Sequence, residues 1–368
     1  MPELPEVETV RLGLQRLLPG RVIARVESDW PKSFPNSEAD VQAFLLGAEI
    51  LQVRRRAKVL LIDLTSEYTL VIHLKMTGQL VFVQKTSGSK VEGKKLKVSE
   101  AELRFGAGHP NDSLIGELPD KSTRVTFTFL DGSKLFFNDQ RKFGWIRLLP
   151  TKLIDAALTG SALEANARKR GSAQRAVQVV RGVSTGVADA AVVQELSQPA
   201  ELGLARGESG ADAVIDFMQK VGPEPLEADF TPDILFNRIQ RRKNSNIKAV
   251  LLDQTVLAGV GNIYADEALW AAKIHPETLV KDLSKQQVAL LHEVLVAVLR
   301  LSIEKGGSSN HTYVNAEGKK GSYMNFANVF RRDGEACPRC GTTIIKLKVA
   351  GRGTHICPVC QKVDQKLS

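Results

Sequence analysis

The second residue is a proline, and removal of Met1 would leave it with a free secondary amine at the N-terminus. An α-amino group has a reference pKa of roughly 8, so near neutral pH part of it is an unprotonated nucleophile. A secondary amine that attacks an aldehyde-type carbon becomes a cationic iminium, an electron sink of the kind a Schiff-base lysine provides. Glu3 and Glu6 add carboxylates beside it. Proline and glutamate also suit the first turn of any helix, so these residues alone leave catalysis and plain helix initiation both open.

The other end of the chain is more specific. Cys337-Pro-Arg-Cys340 and Cys357-Pro-Val-Cys360 are separated by sixteen residues and use all four cysteines. Two CxxC knuckles at this spacing predict a single four-thiolate zinc site, with Cys337, Cys340, Cys357 and Cys360 as ligands. Four thiolates leave no open position for a catalytic water, so the ion is expected to be structural.

Three further clusters could do chemistry. Gly259-Val260-Gly261-Asn262-Ile263-Tyr264 lies between helical segments, and Asn262 stands where a helix start would offer backbone N–H groups to a phosphate. A tight helix–helix connection reads equally well there. Arg238, Arg241, Arg242, Lys243 and Lys248 form a cationic run suited to a nucleic-acid backbone or to a solvated helix face. Asn138 to Gly144 offers Arg141 beside Phe143, an aromatic wedge of the kind that unstacks a base step, or a hairpin tip with a core phenylalanine. Arg54-Arg55-Arg56-Ala57-Lys58 is charge on a strand unless Lys58 points into a site.

These clusters need positioning elements. Pro5 to Leu18 carries Val7, Val10, Leu14, Leu17 and Leu18 at helical spacing. Strand-like runs follow at 21–26, 49–53, 59–64, 70–74, 79–83, 124–129, 134–137 and 145–148, giving an antiparallel β-rich region. Lys85 to Lys121, rich in Gly, Ser and Lys, is expected as a surface insertion between strands. Thr151 to Lys220 reads as an interdomain insertion, and helices are expected at 233–240, 247–254, 262–272 and 285–305. The fold class is therefore α+β and multidomain: an N-terminal β-sandwich with its helix (1–150, insertion about 85–121), a linker with an insertion (151–220), a helical domain (221–328) and a zinc hairpin (329–368).

With 368 residues, 43% hydrophobic and 25% charged, the composition is that of an ordinary globular protein of two or three domains. The net charge of +9 favours a polyanionic partner. No apolar run is read as membrane-spanning, and the start is unlike a signal peptide, so the expected place is a reducing cytosol.

Taken together, the motifs resemble formamidopyrimidine-DNA glycosylase, the bacterial base-excision family for oxidised purines. The resemblance runs through Pro2–Glu8, Arg56-Ala57-Lys58, His73–Gly78, Asp139–Gly144, Gly222–Leu226, Ile247-Lys248, Gly259–Tyr264, Gly306–Ser309, Gly318–Gly321 and the four-cysteine end with Arg352-Gly353-Thr354. It leaves out roughly 85–121 and 155–216. It implies a helix-two-turns-helix domain, one structural zinc, double-stranded damaged DNA as partner, a monomer without membrane contact, and a bacterial-type cytoplasmic, nucleoid-associated setting.

The resemblance also implies roles. Pro2 would attack the sugar C1′ of the damaged nucleotide, and Glu3 would shuttle protons during ring opening. Lys58 would assist β-elimination, and Arg352 the δ-elimination, mainly as an electrostatic clamp. Glu6 would shape the active site. Met76, Arg141 and Phe143 match the void-filling trio; Arg242, Lys243, Lys248 and Asn262 would hold phosphates; Lys319 would sit in the cap over the everted purine. Some residues depart from the family pattern. Ser122 stands where a histidine is common and would make a weaker DNA contact, Lys75 replaces a usual glycine, and Lys142 replaces a common arginine. Two alternatives are an endonuclease VIII-like enzyme for oxidised pyrimidines and a non-catalytic DNA-binding zinc protein. Mere binding would need none of Pro2, Glu3 and Lys58.

Overall fold

Helix α1 (Leu4–Leu17) forms because its apolar residues recur every three or four positions, and it buries Val7, Val10 and Leu14 completely. In the computed structural model, which describes residues 2–92, 95–108, 116–167, 210–308 and 322–362, this helix packs into the core of a two-sheet sandwich. The strands are β1 (Ile23–Ser28), β2 (Ile50–Arg56), β3 (Val59–Leu64), β4 (Tyr68–His73), β5 (Gly78–Glu92), β6 (Lys95–Gly108), β7 (Thr123–Phe129), β8 (Lys134–Asp139) and β9 (Trp145–Pro150). One sheet has the order β1-β7-β8-β5-β6 and the other β2-β3-β4-β9. Leu60, Ile62, Leu70 and Ile72 from one sheet meet Leu80, Phe82, Phe127 and Phe137 from the other around α1. A side-chain carbon at Gly13 would fall 2.0 Å from the Phe105 ring, so glycine is what lets α1 lie this close to β6.

The expected insertion at 85–121 is corrected in its first half. β5 and β6 continue as an antiparallel pair from Gln79↔Gly108 out to Glu92↔Lys95, whereas β8 supports β5 only as far as Val83. Beyond Val83 the run is rich in Gly, Ser and Lys, without the apolar alternation that signals a strand.

Residues Leu149–Val221 form a separate compact unit. Within it α2 (Thr151–Ala167) packs on α3 (Ala211–Lys220), burying Ile154, Ala157, Val214 and Met218. The middle of the expected interdomain insertion lies outside the described residues.

The sandwich shares its unit with Gly222–Ser368. There α4 (Pro232–Ile239) starts at Thr231, whose side chain caps the Ile234 N–H, and α5 (Ile247–Leu252) is capped by Asn246. They pack with α6 (Asn262–Ala271) and α7 (Lys285–Glu304) around Tyr264, Leu269, Leu291 and Leu295. The expectation of no membrane-length apolar run needs correction at α7, which is long and apolar enough by length and composition. Its Val288, Leu291, Leu295 and Leu299 are fully buried at helical spacing, as in a core helix. The last element is the hairpin β10 (Ile345–Val349) and β11 (Arg352–Ile356), paired from Ile345↔Ile356 to Val349↔Arg352.

Candidate active site

Pro2 is buried at the junction of the sandwich and the helical region, directly before α1. The Leu4 N–H donates to the Gly259 carbonyl at 3.0 Å, which ties the N-terminus to the loop preceding α6. A side-chain carbon at Gly261 would lie 2.2 Å from Glu3 Cδ, so any residue but glycine there would displace the Glu3 carboxylate. The Ile263 N–H, in the first turn of α6, donates to Glu3 Oε1 at 3.2 Å. Glu3 Oε2 is buried with no hydrogen-bond partner among the described residues.

Burial raises the Glu3 carboxyl to about 7, and the neighbouring Glu6 charge pushes the same way, against the pull of Lys58 and the Ile263 N–H. A carboxyl held near neutrality can both give and take a proton at working pH. Glu6 is itself buried; its Oε2 accepts the Glu3 N–H at 2.8 Å, and its Oε1 accepts the Tyr264 hydroxyl at 2.5 Å and the Ser308 N–H at 2.8 Å.

Lys58 sits in the tight turn between β2 and β3, directly after Ala57, whose φ is 52°. Its ammonium donates to the Val260 carbonyl at 3.1 Å. Burial lowers its pKa, opposed by the charges of Glu3 and Glu6, and the positive Arg352 adds to the lowering. Lys58, Glu3, Glu6 and Arg352 are thus electrostatically one site. The Lys58 turn is held by Glu224, which lies in the Gly222–Leu226 motif but received no role from the sequence. Its carboxylate takes Arg55 Nη1 at 2.8 Å and Arg56 Nη1 at 3.1 Å, while Arg55 Nε reaches Glu8 at 2.8 Å.

Arg352 is exposed at the tip of the β10–β11 hairpin and forms no ion pair among the described residues. The next two residues are fastened down. Asn262 Nδ2 donates to the Gly353 carbonyl at 2.9 Å, and Lys248 Nζ donates to Thr354 Oγ1 at 2.6 Å and Asp266 Oδ1 at 2.6 Å. Lys248 is fully buried. The expected phosphate contact of Lys248 is therefore corrected: its donors are spent inside the protein, joining α5, α6 and the fingertip. Asp266 and Glu267 could have been suspected, because two adjacent acids inside the apolar run Tyr264–Trp270 must be paired to be buried. Glu267 accepts the N–H groups of Asn328, Val329 and Phe330.

The four thiols are free of disulfides, and their sulfurs all lie within 4.8 Å of one another. Zinc–sulfur bonds of about 2.3 Å place tetrahedral sulfurs about 3.8 Å apart. The Sγ separations of 4.0 Å for Cys337–Cys360 and 3.4 Å for Cys340–Cys357 fit that ion. Arg339 of the first knuckle sits 4.0 Å over the Trp270 ring, docking the finger on α6.

A second exposed group lies on the sandwich. Met76 is 39% exposed and Phe143 52%. Arg141 bridges them, its Nη1 2.9 Å from Met76 Sδ and its guanidinium 4.8 Å over the Phe143 ring. His73, unassigned from sequence, accepts the Lys75 N–H on Nδ1 at 2.9 Å; burial drives its pKa down to about 3, leaving a neutral ring with its proton on Nε2. Arg242 and Lys243 are exposed, Arg242 reaching Asp253 at 3.4 Å. Ser122 is corrected as well: its hydroxyl is buried and donates to Asp120 at 2.7 Å instead of facing a ligand. Lys319 and the expected cap lie outside the described residues.

Family models match three stretches: the formamidopyrimidine-DNA glycosylase N-terminal domain at residues 1–146, its H2TH domain at 221–314, and the zinc finger found in FPG and IleRS at 334–363. A formamidopyrimidine-DNA glycosylase of Pelotomaculum thermopropionicum is 34% identical over 364 residues, covering 99% of this chain and 100% of the relative. This chain belongs to the formamidopyrimidine-DNA glycosylase family. That is a family of bifunctional base-excision glycosylases and abasic-site lyases. The relative from Streptococcus pyogenes is 37% identical over 98% of this chain and 99% of its own. Among solved structures, a complex of a Lactococcus lactis FPG variant with Fapy-dG containing DNA aligns with a TM-score of 0.67 and 29% identity, covering 98% of this chain and 100% of that one. A complex of MutM with carbocyclic 8-oxo-G containing DNA aligns with a TM-score of 0.67 at 28% identity, over 98% and 100% of the two chains.

A family finger that folds around its ion should lose its shape without it. Replacing Cys337 by Ser and stripping zinc should weaken binding to abasic-site duplex by about ten- to a hundredfold, because metal-site losses of this order follow from disturbed ligands. Fluorescence anisotropy with a labelled duplex measures this, and unchanged affinity in metal-free protein would show that the finger does not depend on zinc.

Proposed function

We propose that this protein excises oxidised purines, 8-oxoguanine and ring-opened formamidopyrimidines, from double-stranded DNA and then cleaves the abasic site. The observation that carries the reading is the buried meeting of Pro2, Glu3 and Lys58, with the Glu3 carboxyl at about 7. The trimmed Pro2 nitrogen attacks C1′, the C1′–N bond to the base breaks, and the base departs with its electron pair and a proton. Glu3 supplies a proton to O4′ as the C1′–O4′ bond opens, leaving the iminium between Pro2 and C1′. The iminium makes the C2′ proton acidic; loss of that proton expels the 3′ phosphate, with Lys58 positioned to move protons. A second elimination breaks the C5′–O bond, and Arg352 offsets the charge on the departing phosphate. The product is a one-nucleotide gap with phosphate at both ends.

Met76, Arg141 and Phe143 fill the space left by the everted base, while Asn262, Arg242 and Lys243 meet the backbone. The relatives solved with damaged DNA support this DNA reading. The division at 1–150, 151–220, 221–328 and 329–368, a monomeric state and a cytoplasmic setting belong to the same proposal. Single-turnover cleavage should be about tenfold or more faster on an 8-oxoguanine:C duplex than on one with oxidised thymine, a modest specificity for differential contacts. The reverse order would replace this reading with the pyrimidine-specific one.

A further inference from the structure

The carboxylate of Asp139 is fully buried at the end of β8, and it holds the turn that follows β8 together with Thr77, just before β5. Its Oδ1 accepts the Thr77 hydroxyl and, at 3.2 Å, the Arg141 N–H. Its Oδ2 accepts the Phe143 N–H at 2.8 Å and the Gly144 N–H at 2.6 Å. Thr77 follows Met76 in sequence and also receives the Arg141 N–H, at 3.1 Å, so all three exposed side chains spring from backbone tied to one carboxylate. The Asp139 backbone is fixed in turn: its N–H donates to the Ser122 carbonyl at 2.7 Å, and its carbonyl accepts Arg124 Nε at 3.0 Å. That gives the buried Ser122 turn a purpose its hydroxyl does not serve.

The same loop is braced from outside. Lys142 adopts φ 59°, and its ammonium lies 4.2 Å from the Trp30 ring centre. Trp30 is held by the Ser33 N–H on its carbonyl, and the Ser33 carbonyl takes the Ile146 N–H at 2.8 Å at the start of β9.

We propose that Asp139 is the positioning residue of the Met76–Arg141–Phe143 wedge, so that prying a base out of duplex DNA depends on it while the chemistry at Pro2 does not. The proposal rests on the function given above, in which these three side chains replace the everted base. A carboxylate is required because each oxygen faces two donors; an amide would turn an NH2 group toward two hydrogens and break the turn at nearly unchanged volume.

The test compares single-turnover excision from an 8-oxoguanine:C duplex with borohydride cross-linking to single-stranded abasic DNA, which has no paired base to displace. Asp139→Asn should slow duplex excision by about ten- to a hundredfold, the scale of a misplaced positioning group, with cross-linking within about twofold of the parent. Thr77→Val, which removes one donor to Asp139 and one acceptor of the Arg141 N–H at nearly unchanged volume, should slow duplex excision by a smaller factor in the same direction. Undiminished duplex excision by Asp139→Asn overturns the proposal, and so does an equal loss on single strands, which marks general disruption. Phe143→Ala separates the two readings. If it excises normally, the wedge reading fails; if it is crippled while Asp139→Asn is not, only the positioning role fails.

Discussion

A chain that keeps Met1 should form no borohydride-stable cross-link to abasic DNA. Pro2→Glu is a suitable variant, because a large second residue leaves the initiator methionine in place. The nitrogen at position 2 then stays an amide, whose electron pair is delocalised into the carbonyl and cannot add to C1′. Removing a covalent nucleophile commonly costs on the order of a thousandfold or more in rate. Pro2→Gly is the companion: once trimmed it offers a primary amine at the same place, which can still form an imine, so its cross-linking should be reduced but measurable. Mass spectrometry of each purified chain shows whether Met1 is gone, and melting curves report whether α1 still docks. Cross-linking by the Met1-bearing Pro2→Glu chain at the parent rate would eliminate the N-terminal amine as nucleophile. The expectation is specific to this architecture, because Pro2 is buried and the Leu4 N–H is pinned to Gly259. An amine one residue earlier cannot take its place without unfastening that contact.

The sequence displayed what depends on neighbours along the chain and hid what depends on partners far away. α1, α4 and α7 were legible as helices, and the zinc ligands from two CxxC pairs. Pro2, Glu3 and Lys58 were legible only as a set, since each is unremarkable alone. Lys248 shows the opposite case. Beside Arg241, Arg242 and Lys243 it looks like one more backbone-binding cation, yet Asp266 and Thr354, 18 and 106 residues away, take it into the interior. Glu224 lies between two prolines ahead of α4, where nothing local announces Arg55 and Arg56 as partners. The outer β5–β6 ribbon was missed because its run of Gly, Ser and Lys carries no apolar alternation to read. In each miss the deciding contact was tertiary, and the residue types were compatible with a solvated surface.

Replacing Glu3 by Gln should separate its proton from its shape. The glutamine keeps the size and an oxygen for the Ile263 N–H, but cannot exchange a proton near pH 7. Loss of a positioned acid–base group costs about a hundred- to ten-thousandfold, so base excision should fall by that order, with duplex affinity largely retained. In the parent, excision that needs protonated Glu3 should decline as pH rises through about 7, and that alkaline limb should be missing from Glu3→Gln. Stability supplies an independent reading of the same group. The folded chain holds the proton up to about 7, whereas the unfolded chain releases it near its ordinary value of 4.5. Between those values the native state binds more protons, so raising the pH costs the parent stability, on the order of 3 kcal/mol across the window. Glu3→Gln has no such group, and its melting temperature should gain on that of the parent as pH rises from 4.5 towards 8. If the two melting temperatures run parallel across that range, burial does not raise the Glu3 pKa. If the alkaline limb of excision persists in the variant, another group is the acid, and the buried carboxyl serves only to seat the N-terminus against Gly261.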